Sequence, residues 1–466
     1  MPFEPLTAIS SIDGRYRDTV APLAEYFSEY ALIKNRLVVE CEYLIALSET
    51  KAIGIRALTD AEKTSLRAIG NVSVEAARIV KSIERQGYDG IPATNHDVKA
   101  VEYFLKGKIK GTSLEDVSEW IHFALTSEDV NSVAHGIALR SYVEQSLLPT
   151  LGEIRAVLTT LAIENAAVPM LARTHGQAAS PTTFGKEMRV FESRLARQMT
   201  ELQARTMLVK FGGATGNWNA HRVAAGDADW MAFANSFAER LNEGHAIRLE
   251  LNEATTQIEP HDTYAELFDN VRRANTILID LSQDIWRYIS DAWISQRAVA
   301  GEVGSSAMPH KINPIDFENA EGNLGVANAL FEHFSRKLPI SRLQRDLSDS
   351  TVARVFGTAF GHSLIAYKSL VRGFGKIHVN AAAMLEALQS HPEVLAEAIQ
   401  VVLRKEGVAT PYEMLKELTR GKKITADDLS AFVDSLAVSD DVKKRLRALR
   451  PENYIGLAET IARGRS

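Results

Sequence analysis

The chain has 466 residues, 45% of them hydrophobic and 24% charged, with a formal net charge of −6. That length suits roughly two to four domains around a large apolar core, and the composition is that of a globular protein. The negative balance excludes a general nucleic-acid or membrane-surface binder, because no global positive field gathers phosphates.

The N-terminal stretch MPFEPLTAISSIDGRYRD lacks a basic segment followed by an apolar run, so no signal peptide is expected. No uninterrupted apolar run approaches the roughly 18 to 20 residues a membrane span needs. A cytoplasmic location without a membrane partner follows as the expectation. Cys41 is the single cysteine, so no intrachain disulfide can form, and it reads as a small buried hydrophobe. Residues 1–113 read as a mixed region of shorter helices and loops. Ser113 with Asp116 resembles a capping box ahead of Val117, Trp120, Ile121, Ala124 and Leu125. A central helical bundle is therefore expected over 114–365.

Inside that region, apolar residues recur with helical spacing. Leu147, Leu151, Ile154, Leu158 and Leu161 form one stripe; Phe184, Met188, Phe191 and Leu195 form another. The longest runs through Leu267, Val271, Ala274, Leu278, Leu281, Ile285 and Tyr288, about six turns of helix. Such stripes in successive segments predict long helices packed as a bundle, hence an all-α fold. Strand signals are sparse, with Ala246–Leu251 a short extended piece. Phe211–Asn217 is glycine-rich but lacks the Lys-Ser/Thr of a P-loop, so it reads as a flexible loop near the site. Residues 366–466 form a third region of short helices interrupted at Pro392, Pro411 and Pro451.

Chemistry concentrates in Gly304-Ser305-Ser306-Ala307-Met308-Pro309-His310-Lys311-Ile312-Asn313-Pro314. Its glycine and prolines mark a loop, and small residues leave backbone N–H groups able to surround an anion. Lys311 adds a point charge. Further on, Arg345 and Arg354 flank Ser350, and arginine suits phosphate because its planar fork donates two bonds. No histidine pair stands at metal-ligand helical spacing with a supporting carboxylate, so neither metal nor cofactor is expected. Ser305 lacks a Gly-x-Ser-x-Gly elbow, which argues against a serine hydrolase.

The 304–314 segment resembles the fumarase/aspartase superfamily signature GSSxMPxKxNP and matches every specified position. The chain further resembles the bacterial type of the adenylosuccinate lyase family at Asp13-Gly14-Arg15-Tyr16, Thr94-Asn95-His96-Asp97, Thr126-Ser127-Glu128-Asp129 and Thr174-His175-Gly176-Gln177. Gln257-Ile258-Glu259-Pro260-His261-Asp262 and Arg345–Arg354 resemble it too. One departure is Gly87–Ala93, longer than that family's loop before Asn-His-Asp. The resemblance implies a three-domain all-α fold (1–113, 114–365, 366–466) assembled as a homotetramer whose subunits share active sites. It implies elimination of fumarate from adenylosuccinate and from the related succinocarboxamide imidazole ribotide, with no nucleic-acid partner. A related fumarate-releasing lyase such as argininosuccinate lyase is the alternative.

Site roles come with the resemblance. Ser305 is expected as the base that removes the proton beside a carboxylate, or else as a hydrogen-bond partner of that carboxylate. His175 is expected as the acid for the leaving nitrogen, oriented by Glu318, since histidine changes charge near neutral pH. His96 reads as a substrate contact, with proton transfer the rival role. Lys311 and Asn313 are expected to hold the dicarboxylate arm. Arg15, Tyr16, Arg345, Ser350, Thr351, Arg354 and Asn319 are expected at the phosphoribosyl part. Thr126, Ser127 and Gln257 are expected at the succinyl or base portion. Asn95, Asp97, Ser306 and Met308 complete the substrate-binding set. His261 stays open between structural and site roles.

Overall fold

A computed structural model describes residues 4–297, 308, 311–421 and 424–464. It is predominantly helical; among the described residues the strands form four two-stranded sheets. The chain packs into two compact units: residues 1–151, 197–276 and 322–368 make the first, and 152–196, 277–321 and 369–466 the second.

The apolar stripes predict the long helices well. Leu267, Val271, Ala274, Leu278, Leu281 and Ile285 are fully buried along one helix, Asp262–Ser290. Phe184, Met188, Phe191 and Leu195 are buried along Phe184–Gln203. Leu147, Leu151, Ile154 and Leu158 line a helical stretch that changes pitch midway: Ser127–Tyr142 is α, Val143–Leu147 is π, and Leu148–Glu164 is α again. Pro149 explains the wide turn before it. Its ring removes a backbone donor and crowds the carbonyl four residues earlier, and a π turn opens room for both. Averaged over a window, the stretch Ser127–Glu164 is apolar enough to cross a membrane. Its polar groups are nonetheless tied inside the first unit: Arg140 donates to the Leu241 carbonyl at 2.8 Å, and Glu144 pairs with His245 at 2.7 Å.

The expected capping box at Ser113 is not the start of this helix. Residues Glu115–Trp120 form a 3₁₀ segment, and His122 and Ala124 take left-handed backbone angles. The box forms at Thr126, where the Asp129 carboxylate accepts from the Thr126 N–H at 2.7 Å. Asp116 is drawn away by Arg56, which holds it at 2.6 Å.

In the first unit, helix Glu29–Glu49 packs on Ser127–Tyr142, and an aromatic core joins Phe27, Tyr142, Phe268, Phe331, Phe334, Phe356 and Phe360. Arg248–Leu251 is extended, as its sequence suggests, and pairs in parallel with Thr206–Val209. Cys41 is buried, and burial pushes its thiol well above the usual range. The boundary expected near 365 falls within the helix Phe356–Phe374.

In the second unit, Phe317 meets Phe374 edge-on at 5.3 Å. The C-terminal helices close over a cluster including Leu395, Ile399, Leu403, Leu415, Leu429 and Leu446. Pro392, Pro411 and Pro451 each stand at the start of a helical segment, where a missing N–H leaves no bond unmade. Leu278→Ala, at a fully buried position, should cost about 2–5 kcal/mol and lower Tm. An unchanged melting curve would contradict the burial.

Candidate active site

In the first unit, local structure brings three sequence-distant motifs together. Asn95 sits at a left-handed angle (φ 48°), and His96 caps helix Asp97–Ile109. The His96 Nδ1 accepts from the Lys99 N–H at 3.3 Å, so the proton of a neutral ring rests on Nε2, which lies 3.4 Å from the Ser127 hydroxyl. The longer loop before Asn95 resolves into a tight hairpin. Tyr88 bridges Ile91, and Asp89 and Gly90 both have positive φ, as a two-residue type I′ turn requires.

Thr126 and Ser127 are fixed from below. The Asp129 carboxylate, wholly buried, takes N–H bonds from Thr126 and Gly213 and pairs with buried Lys210 at 2.6 Å. Lys210 in turn donates to the Gly213 carbonyl. The glycine-rich loop is thus anchored to the same carboxylate as the Thr126 turn, rather than hanging free. Gly213 has φ 77° and Gly216 φ 74°, angles that favour glycine.

Arg345, Ser350 and Arg354 line one small cavity of about 20 Å³, together with Arg36, Glu128, Asn131, His135, His261 and Asp349. A continuous chain of polar contacts runs around it. Glu29 holds Arg354 at 3.0 Å, and Arg354 reaches Asp97 at 3.4 Å. Asp97 takes Arg36 at 2.8 Å; Arg36 donates to Asn131 at 2.8 Å; Asn131 donates to Glu128 at 3.2 Å. Glu128 pairs with Arg345 at 2.9 Å, and Arg345 ends on Asp349 at 3.5 Å. Burial works against ionised Asp97, but Arg36 and Arg354 hold its carboxyl below the usual range. Burial pushes Glu128 up to about 7 despite Arg345, with Asp349 adding to the rise. His135 and His261 are driven down by burial to about 3 and about 4, so both are neutral near pH 7. Arg36 Nη1, His261 Nδ1 and Asp349 Oδ1 are buried without a protein partner among the described residues.

Of the other expected substrate contacts in this unit, Arg15 is exposed with its guanidinium 5.9 Å over the Tyr16 ring. Thr351 is exposed and Gln257 half-buried; none of these four lines the small cavity. Arg36, Asn131, Glu128 and Asp349 were not among the expected contacts. Arg36 offers no local signal, being one of two cations, with Lys34, in the helix Glu29–Glu49. Glu128 lay within a recognised motif and stood out only by adjacency.

The second unit carries the remaining residues. His175 tips a two-residue hairpin between Arg173–Thr174 and Gln177–Ala178. His175 and Gly176 have φ 54° and 77°, again type I′, and the His175 side chain is exposed. Ser305 and Ser306 lie outside the described residues. Met308 and Lys311 are exposed, with the Lys311 N–H donating to the Met308 carbonyl at 3.0 Å. Helix Ile315–Lys337 buries Phe317, Ala320 and Leu324, which turns Glu318 outward. There Glu318 accepts from the Trp286 indole at 3.1 Å, and Asn319 accepts from Ser369 at 2.9 Å. Buried Asp316 pins the helix start through Arg372 and Lys376, at 2.6 and 3.0 Å.

Comparison with known proteins places these features. The lyase family matches residues 14–328, and the adenylosuccinate lyase C-terminal family matches 341–455. Adenylosuccinate lyase of Dictyostelium discoideum is 50% identical over 97% of both chains, and that of Escherichia coli is 47% identical over 99% of both. Two solved structures share the fold: a 3-carboxy-cis,cis-muconate lactonizing enzyme from Pseudomonas putida (TM-score 0.71, 21% identity, 95% of both chains) and a fumarate lyase from a Mesorhizobium species (TM-score 0.71, 18% identity, 96% of both chains). With this likeness running almost end to end, the chain belongs to the adenylosuccinate lyase family of the fumarase/aspartase superfamily.

Proposed function

We propose that this chain eliminates fumarate from adenylosuccinate, giving AMP, and from the succinocarboxamide imidazole ribotide, giving the carboxamide ribotide. The observation that carries the phosphate-bearing substrate is the convergence of Arg345, Ser350 and Arg354 on one cavity. Argininosuccinate has no phosphate and gives such a cavity no purpose.

In the proposed reaction, the Ser305 oxygen takes the proton from the carbon next to a succinyl carboxylate. The carbanion's charge spreads into that carboxylate, where Lys311 and Asn313 stabilise it. The carbon–nitrogen bond then breaks, and His175 gives its proton to the departing nitrogen. No water is consumed. Glu318 faces outward in a single chain, and His175 stands on an exposed tip. Both positions favour our reading of a homotetramer in which different subunits supply the acid and its orienting carboxylate. Exposed Val190, Trp286 and Val326 on long helices also support self-association. We assign Arg15, Tyr16, Thr351 and Asn319 to the phosphoribosyl end, and Asn95, His96, Asp97, Thr126, Ser127, Gln257, Ser306 and Met308 to the rest of the substrate. Residues 1–113, 114–365 and 366–466 are our division into domains, and the cytoplasm is our assignment of location.

Purified protein should convert adenylosuccinate to AMP and fumarate without added metal or nucleotide cofactor. Intact protein that yields no product from either purine substrate would overturn the assignment. Arg345→Ala should weaken binding of the phosphate-bearing substrate by roughly tenfold to a hundredfold, the loss of a hydrogen bond to a charged group. An unchanged KM would remove Arg345 from the phosphate site.

A further inference from the structure

Resting on the reading of Arg345 as a phosphate ligand, we propose that Glu128 is a positioning residue that holds Arg345 until phosphate arrives, then yields it and takes up one proton.

The argument begins with space. The cavity bounded by Arg36, Glu128, Arg345 and Arg354 holds about 20 Å³, room for about one water molecule and too little for a phosphoryl group. A larger cavity of about 180 Å³ adjoins it, sharing Leu32, His135, Ala353, Arg354 and Phe356. Phosphate can therefore bond both arginines only if an existing contact opens. The Arg345–Glu128 pair lines that space and is the contact we take to open. Glu128 is 4% exposed, and its partners are Arg345 and Asn131.

Charge points the same way. Lys81 shares Glu29 with Arg354, and Arg36 shares Asp97 with Arg354, whereas Arg345 faces two carboxylates, Glu128 and Asp349. A phosphate monoester is close to dianionic above its second pKa of about 6. Adding it beside a guanidinium that already faces two carboxylates is unfavourable unless a proton comes too. Glu128 is the carboxylate placed to accept it. Helix Glu29–Glu49 faces it with Arg36; the 345–350 segment faces it with Arg345 and Asp349; helix Asp262–Ser290 brings Tyr264; its own helix brings Asn131 and His135; and His261 closes the cavity. Once Arg345 leaves, what faces Glu128 is a neutral amide, neutral imidazoles, a phenol, a carboxylate and an arginine already held by Asp97. A buried carboxylate without a cation takes a proton instead.

The sign of the pH effect follows. Burial pushes free Glu128 up to about 7 despite Arg345, so above that pH the ionised form prevails and ligand binding must raise its proton occupancy. Affinity then falls as pH rises, by up to about tenfold per unit above pH 7.

The test is calorimetric titration of the wild-type enzyme with AMP at pH 8, in buffers of different ionisation enthalpy, beside Glu128→Gln and Arg345→Ala. The wild type should take up close to one proton per AMP. Glu128→Gln, nearly isosteric, should take up close to none, and its AMP affinity should be flat from pH 7 to 9. AMP bound with no proton uptake by the wild type, which needs no variant to fold, would overturn the proposal. So would equal uptake by wild type and Glu128→Gln. If Arg345→Ala binds AMP as tightly as the wild type, the phosphate reading itself fails. If it binds AMP poorly while the wild type takes up no proton, that reading stands and the role of Glu128 is rejected.

Discussion

His175→Asn should lower kcat by about 10²–10⁴, the usual contribution of a positioned acid, while leaving the melting temperature unchanged. Asparagine is the informative replacement. Position 175 has φ 54°, where a β-branched or bulky residue adds strain, and asparagine tolerates that angle while lacking a titratable proton. Because the side chain is exposed and the hairpin is held by its backbone, stability should move by less than about 0.5 kcal/mol. The matched measurements are steady-state turnover across pH and a thermal melt. Full activity in a well-folded variant would take His175 out of the mechanism. Mixing His175→Asn with Lys311→Ala subunits gives a second reading. Recovered activity in the mixed oligomer is expected if different subunits complete each site.

Lys210→Met should be the most damaging single change to stability, at about 3–5 kcal/mol. Lys210 and Asp129 are both fully buried and stand 2.6 Å apart. Burial already pushes the Asp129 carboxyl upward, and without the lysine it has no cation at all. Methionine fills much of the vacated volume, so the loss reports stranded charge rather than a cavity. Since typical domains are stable by only about 5–15 kcal/mol, thermal unfolding should shift clearly. Adding Asp129→Asn to Lys210→Met should recover part of the loss, the sign of a coupled pair. If the double variant is worse by the sum of the two single changes, the pair is not coupled as drawn.

Much of this architecture is legible in the sequence. Burial imposes a 3.6-residue period, and the Leu267–Tyr288 stripe reports it directly because one long helix keeps one face inward. The Thr174–Gln177 turn is legible because it is a local string; most of the Gly304–Pro314 string lies outside the described residues. The capping box was misplaced for a physical reason. Ser113 and Asp116 have the right spacing, but Arg56, 60 residues from Asp116 in sequence, competes for the carboxylate. The same limit hid the ring of charges around Arg345 and Arg354. Arg36 meets Asp97 across 61 residues, and Arg354 meets Glu29 across 325. No periodicity encodes such partners. The supports of Thr126 were equally hidden, since Lys210 looks like an ordinary lysine until its burial is known.

The alternating chain from Glu29 to Asp349 also bears on how sequences of this kind can drift. Its inner members Arg36 and Glu128 are buried and paired, so replacing the partner of either in isolation leaves a buried charge unanswered and is selected against even where no substrate touches it. Viable change there has to come in matched pairs. Paired exchange at positions such as 36 with 97, or 128 with 345, is then the trace this network should leave across lineages.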